Sequence, residues 1–359
     1  MATAFLNGEF VELADAKVSA LDAGLQHGVG VFDTMLGGVL TPEADDLNDD
    51  LDDSLDSPSD EPAGVQAWVL DMEDHLERLA TSCRELGLSE DLSTDGLGRA
   101  VLETVRRSGL KRARVRLTVT GGPLNLLRRD PGSATSKPAT AAPSASGQLT
   151  ILIVASMATE YPETMLSRGV MAVVADTKAN PFNQYESHKT LNYWWRLREL
   201  QIAAAKGAGE ALVFSVTNHL CGGCVSSALL VKDGIVRTPI ARGEEGASYE
   251  PGMTEPVGTD QAGGVKFKNG ILPSAVLPGI ARKWAIRQLA TEGVVVKRSM
   301  LTVTDILEAD ELLLTNSSWG VLPVVQLEGK QIGAGKPGPI ATQLIAAWRD
   351  ELASPPVWG

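Results

Sequence analysis

The stretch Tyr185–Tyr193, YESHKTLNY, places one lysine, Lys189, between His188 and Thr190, just ahead of Leu191–Ala205, where apolar residues recur at helical spacing. Trp194 and Trp195 follow, so the neighbourhood is largely apolar. Desolvation lowers the pKa of a lysine, and a partly neutral amine can attack a carbonyl to form a Schiff base. The bland alternative is a surface lysine at a helix start, so the choice turns on what the rest of the chain supplies.

Three other segments bear on it. LPGIAR (Leu277–Arg282) opens a predicted helix over Leu277–Leu289, whose free N–H groups and partial positive charge suit a phosphate. TNSSWG (Thr315–Gly320) offers two adjacent hydroxyls after the apolar strand Leu312–Leu314. Arg78 lies one turn into the predicted helix His75–Leu86 and can form a charge-assisted pair with the same dianion. A Schiff-base lysine with several phosphate-holding elements is what pyridoxal phosphate requires, although each piece alone has an ordinary reading as a helix start, a turn or a surface arginine. Two glycine motifs carry nothing: Gly333–Gly335 lacks the spacing of a P-loop, and Gly28–Gly30 lacks the third glycine of a dinucleotide fingerprint.

A chain of 359 residues, 43% of them hydrophobic, is long enough for two domains with real cores. Its net charge of −13 is local: Thr41–Pro62 holds ten of the 45 acids and no base, leaving 35 acids against 32 bases, or −3. A body so nearly neutral lacks the basic face of a nucleic-acid binder. Thr41–Pro62, the Pro/Ala/Ser-rich Arg129–Gln148 and the Gly/Glu-rich stretch of about Arg242–Gly270 read as mobile surface insertions. No apolar run reaches membrane-spanning length and the amino terminus resembles no signal peptide, so a soluble cytoplasmic protein is expected. Short strands are predicted at Leu117–Thr120, Leu149–Val154, Gly169–Val174 and Ala211–Val216. With the helices they indicate an α+β protein whose domain junction falls at 156–163.

Eight segments, in order, are similar to the class IV pyridoxal-phosphate aminotransferases, the fold type IV group of branched-chain aminotransferases, D-amino acid aminotransferases and aminodeoxychorismate lyases. They are FLNGEFV (Phe5–Val11), LDAGLQHGVGVFDT (Leu21–Thr34), HLERL (His75–Leu79), SHKTLNY (Ser187–Tyr193), GAGEALVFS (Gly207–Ser215), VKDGIVRTP (Val231–Pro239), LPGIAR and TNSSWGVLPV (Thr315–Val324). The resemblance implies a D-amino acid aminotransferase-like subunit with a smaller domain over 1–155, a linker over 156–163 and a larger cofactor domain over 164–359. It also implies a homodimer and amino transfer between an amino acid, of branched-chain or D-type, and a 2-oxo acid. An aminodeoxychorismate lyase releasing pyruvate and 4-aminobenzoate is the alternative within the group. A silent cofactor-binding or interaction protein is the alternative outside it.

By the same resemblance, Lys189 holds pyridoxal 5'-phosphate and shuttles a proton. Arg78, the N–H groups of Ile280 and Ala281, and Ser317 with Ser318 hold the phosphate. Tyr193 bonds the cofactor's phenolate oxygen and Phe32 lines the substrate pocket. One departure stands out: Gly222 occupies the place beside the pyridine nitrogen where the family carries a glutamate, and Ser227 replaces an asparagine. Three readings follow: Cys224 or Ser226 bonds a neutral ring, a carboxylate arrives from elsewhere, or catalysis is impaired. Cys221 and Cys224 form a CxxC without the partners of a zinc site, so no metal is expected and packing is the better reading. His27 and His188 are read as packing or hydrogen-bonding residues, and Trp194–Trp195 as core or subunit interface.

Overall fold

A computed structural model describes residues 3–40, 65–123, 149–245 and 273–357. Thr41–Pro62, Arg129–Gln148 and all but the first residues of Arg242–Gly270 lie outside the described residues. Those first residues are tied down: Glu244 accepts from Arg282 at 2.7 Å and Arg242 pairs with Glu85.

The first half carries strands β1 (Thr3–Leu6), β2 (Glu9–Glu12), β3 (Gly30–Leu40), β4 (Gln66–Val69), β5 (Ala113–Thr120) and β6 (Thr150–Met157), with helices α1 (Ala23–His27), α2 (Met72–Glu85) and α3 (Thr94–Ser108). Among the described residues the strands form one antiparallel sheet in the order β2-β1-β6-β5-β3-β4. The sequence predicts only the last half of β5, because Arg114 and Arg116 interrupt the apolar run. In the sheet they do not break the pattern: Ala113, Val115, Leu117 and Val119 face the core while the arginines take the other face. β3 escapes the sequence reading for the opposite reason, being buried on both faces and so lacking alternation. On α2, Met72, His75, Leu76, Leu79 and Cys83 form the buried stripe that packs on this sheet with α3.

The second half adds α4 (Glu163–Arg168), β7 (Val170–Val174), α5 (Trp194–Ala205), β8 (Glu210–Phe214), β9 (Leu220–Gly223), β10 (Ser227–Lys232), β11 (Ile235–Pro239), α6 (Ile280–Thr291), β12 (Val296–Ser299), α7 (Val303–Leu307), β13 (Glu311–Asn316), β14 (Gly320–Leu327), β15 (Lys330–Gln331) and α8 (Pro339–Ala353). Its mixed sheet runs β12-β11-β10-β13-β14-β7-β8-β9, with β15 on β14. The α+β expectation holds. A cluster of Leu36, Trp68 and Leu70 with Trp284, Leu289 and Trp348 packs the two sheets together, the two last tryptophans edge to face at 4.8 Å.

Two of the shifted boundaries bear on the site. α5 begins at Trp194, not Leu191, because Lys189–Leu191 runs extended against β3: Phe32 donates to the Lys189 carbonyl and Leu191 to that of Gly30, both at 2.9 Å. α6 starts at Ile280 because Pro278 and Gly279 stay extended before it.

Candidate functional site

A cavity of about 820 Å³ opens between the two sheets, and all of the sequence-predicted site residues except Gly222 line it. Its position follows from the pairing of Lys189–Leu191 with β3, which brings the lysine from one half against the strand of the other. The Lys189 Nζ lies 4.7 Å from the Phe32 ring centroid and 5.2 Å from that of Tyr193. These rings meet edge to face at 5.3 Å, so one amine is held between two aromatic walls. The Tyr193 hydroxyl donates to the Cys224 carbonyl at 3.2 Å.

Arg78 is held from two sides. Its Nε and Nη2 donate to Asp33 at 2.7–3.1 Å, and its Nη1 donates to the Pro278 carbonyl at 3.0 Å, just before α6. Asp33 also takes the His75 Nδ1 at 2.8 Å, and the His75 Nε2 faces the Ser317 Oγ at 3.3 Å. Burial pushes the Asp33 carboxyl up, but the opposing Arg78 and then His75 outweigh it and hold the group well below the usual carboxylate range. Sequence reasoning missed Asp33 and His75. His75 and Arg78 share a helix face at three-residue spacing, which was readable; their acid lies on a distant strand, which was not.

The remaining wall suits an anion. Among the described residues the N–H groups of Ile280 and Ala281 have no protein acceptor, and α6 points its positive end at the cavity. The Thr315 Oγ1 and Trp319 Nε1 are buried on this wall without a hydrogen-bond partner among the described residues. Such orphans fit a polar ligand that completes them. The Asn316 side chain accepts from the N–H groups of Ser318 and Trp319 at 2.9 and 3.0 Å, locking the turn that carries Ser317 and Ser318. A phosphate-bearing carbonyl cofactor therefore finds an amine and an anion cradle in one cavity.

Gly222 sits in β9 at φ +133°, and a Cβ there would lie 2.7 Å from the Ser226 carbonyl oxygen. Its two neighbours, not Gly222 itself, form the wall: Cys221 and Gly223. The adjacent buried carboxylate is Glu210, which accepts from the N–H groups of Ala211, Cys224 and Val225 at 3.0–3.3 Å and from the Ser226 hydroxyl at 3.0 Å. Burial pushes this carboxyl above its ordinary range, and the four hydrogen bonds oppose the rise only in part. Glu210 pins the 223–226 segment and packs so tightly on Gly223 that a Cβ there would come within 2.7 Å of it. Gly222→Glu is accordingly expected to lose about 1–3 kcal/mol of stability through its strained backbone. Urea unfolding of the two proteins checks this, and equal midpoints would refute the steric account.

Burial pushes the Cys221 and Cys224 thiols up to about 12, which suits packing groups and not reactive thiols. His188 is buried and bonds the Ser82 hydroxyl at 3.0 Å; burial, then Arg242, push it down to about 4, so it stays neutral. His27, expected to pack or to form a hydrogen bond, lies exposed in the last turn of α1, so packing does not apply to it. Trp195 is partly buried and packs against the core, whereas Trp194 is 79% exposed.

The cavity also gathers charges the sequence reading left out. Arg114 and Arg116 line it from the non-core face of β5 without an ion-pair partner among the described residues, and the Arg116 guanidinium stacks 3.8 Å over the Phe32 ring. Burial, then the like charge of Arg114, lower the Arg116 pKa. Two alternating arginines on a strand were the available signal. Glu186 faces them across the cavity, its carboxyl raised by burial against the opposing pull of Arg196.

The amino-transferase class IV family model matches residues 65–246 and 268–327. A branched-chain-amino-acid aminotransferase of Pseudomonas aeruginosa is 23% identical over 355 residues, covering 96% of this chain and 91% of its own. A D-alanine aminotransferase of Staphylococcus haemolyticus is 22% identical over 355 residues, covering 99% of each chain. Among solved structures, a branched-chain amino acid aminotransferase of Thermobaculum terrenum in its PLP form superposes with a TM-score of 0.68 at 17% identity, covering 98% of this chain and 94% of that one.

Proposed function

This chain belongs to the class IV aminotransferases, and from that premise we propose that its cavity binds pyridoxal 5'-phosphate and moves an amino group between an amino acid and a 2-oxo acid. The observation that carries the reading is the convergence of the Lys189 amine with a phosphate cradle in one cavity. When bound, the cofactor supplies a carbonyl carbon that takes the amino group and a ring that delocalises the electrons released at the substrate Cα. Lys189 anchors that carbon and carries the proton to and from Cα. Arg78, the N–H groups of Ile280 and Ala281, and the hydroxyls of Ser317 and Ser318 hold the phosphate. Arg78 reaches it with the N–H groups that Asp33 and Pro278 leave over.

Tyr193, Cys224 and Ser226, the last held by Glu210, line the cavity and would help to hold the cofactor. Phe32 bounds the substrate side. Arg114 and Arg116 receive a substrate carboxylate, the charge they lack among the described residues. The named relatives, branched-chain and D-alanine enzymes, support transamination over elimination of pyruvate.

The same reading divides the subunit into 1–155 and 164–359 joined by 156–163, and makes it a cytoplasmic homodimer. Exposed Leu21, Leu25 and Trp194, each above 65%, support a partner surface, and Trp194 lines the cavity. No helix among the described residues is long and apolar enough to cross a membrane.

The test is a spectral titration of the cofactor-loaded protein against L- and D-amino acids. Conversion to the amine form of the cofactor, reversed by a 2-oxo acid, is expected, and Arg116→Ala should raise the half-saturating amino acid about tenfold or more. Pyruvate release from aminodeoxychorismate without an acceptor would replace the reading with the lyase, and no change with any amino acid would leave a silent relative.

A further inference from the structure

The Asp33 carboxylate accepts hydrogen bonds only, so the His75 Nδ1 facing it at 2.8 Å carries a proton. In neutral His75 the Nε2 is then a lone pair, and the Ser317 hydroxyl 3.3 Å away must donate to it. In that state Ser317 turns its oxygen, not its proton, to the cavity, where it repels an anion. We propose that a phosphate dianion in this cavity binds together with one proton, taken up on the His75 Nε2. The imidazolium then donates to Ser317, which frees the Ser317 O–H to donate to the phosphate. One proton enters from solvent and no bond other than N–H forms.

The inference rests on the phosphate cradle of the proposed function and deepens it, making His75 a positioning residue. The groups around His75 support the exchange. Asp33 on β3 stabilises the imidazolium, and Arg78 on α2, paired to Asp33, offsets part of that charge until a dianion arrives. Asp74, beside His75 in sequence, is spent on Lys283 and Arg287 of α6. Lys189 lines the same cavity.

The chain has four histidines, so ¹⁵N-histidine labelling resolves each ring. The probe is 4'-deoxypyridoxine 5'-phosphate, which has no aldehyde and leaves Lys189 unlinked. At pH 7.5 the free protein should show a His75 ring protonated at Nδ1 alone, and the loaded protein a ring protonated at both nitrogens. Ser317→Ala should reduce that change, and wild-type affinity should fall up to tenfold per pH unit over the range in which the free ring is neutral and the loaded ring is doubly protonated. His75→Gln should flatten this slope. If the probe binds while His75 stays neutral and affinity shows no such slope, the proton coupling is overturned and the cradle stands. If the probe fails to bind at all, the cradle itself is overturned, and the coupling with it.

Discussion

Lys189→Ala is expected to abolish transamination, lowering the rate about 10⁴-fold, the upper end of what one positioned proton carrier supplies. The size follows from the geometry. The amine stands between Phe32 and Tyr193, and the other titratable groups of that wall are poor substitutes. The Tyr193 hydroxyl is engaged by the Cys224 carbonyl, His188 is buried against Ser82, and the Glu186 carboxyl is set against Arg196. No neighbour therefore inherits the proton transfer. Single-turnover absorbance with a reactive amino acid measures the loss. The variant should also release cofactor on gel filtration while keeping the wild-type unfolding midpoint, because Lys189 is half-buried and its backbone, not its side chain, makes the bonds to β3. A variant within tenfold of wild-type rate would remove Lys189 from the reaction.

The legible part of this site was the part written in local sequence. Lys189 stands in an unusual apolar context, Pro278–Gly279 announces a helix amino terminus, and the paired hydroxyls of Ser317 and Ser318 sit in one short turn. What escaped was whatever depends on pairing between distant segments. Asp33 meets Arg78 and His75 only because β3 and α2 pack, and Glu210 reaches Ser226 only through the β8–β9 turn. The strand edges show the same division. β5 was cut short because its arginines look like breakers until one knows that its other face looks into a cavity lined by a lysine and an aromatic ring. The helix boundary at Trp194 moved for a tertiary reason too: Lys189–Leu191 pairs antiparallel with β3 and so stays extended.

Asp33→Asn is the substitution expected to harm stability most, by about 3–5 kcal/mol, because it leaves the Arg78 guanidinium and His75 facing a neutral amide in a buried site. The carboxylate is 1% exposed and serves both partners, so the loss is that of a network and not of a single contact. The pH dependence gives the signature. Asp33 titrates below its unfolded value, so in the wild type its contribution is complete above about pH 4 and drains away as the pH falls toward the folded pKa. The variant lacks this group, hence the gap in unfolding free energy between the two proteins should narrow as the pH falls below about 4. Urea unfolding at a series of pH values measures it. A gap under 1 kcal/mol at pH 7, or one that widens below pH 4, would mean that Asp33 does not hold the charge of this site. The same variant separates structure from binding: once Arg78 loses its carboxylate, nothing fixes its guanidinium beside the start of α6 except the Pro278 carbonyl. Phosphate affinity should therefore fall in the folded fraction as well, by more than Ser317→Ala alone produces, because two elements of the cradle are released by one change.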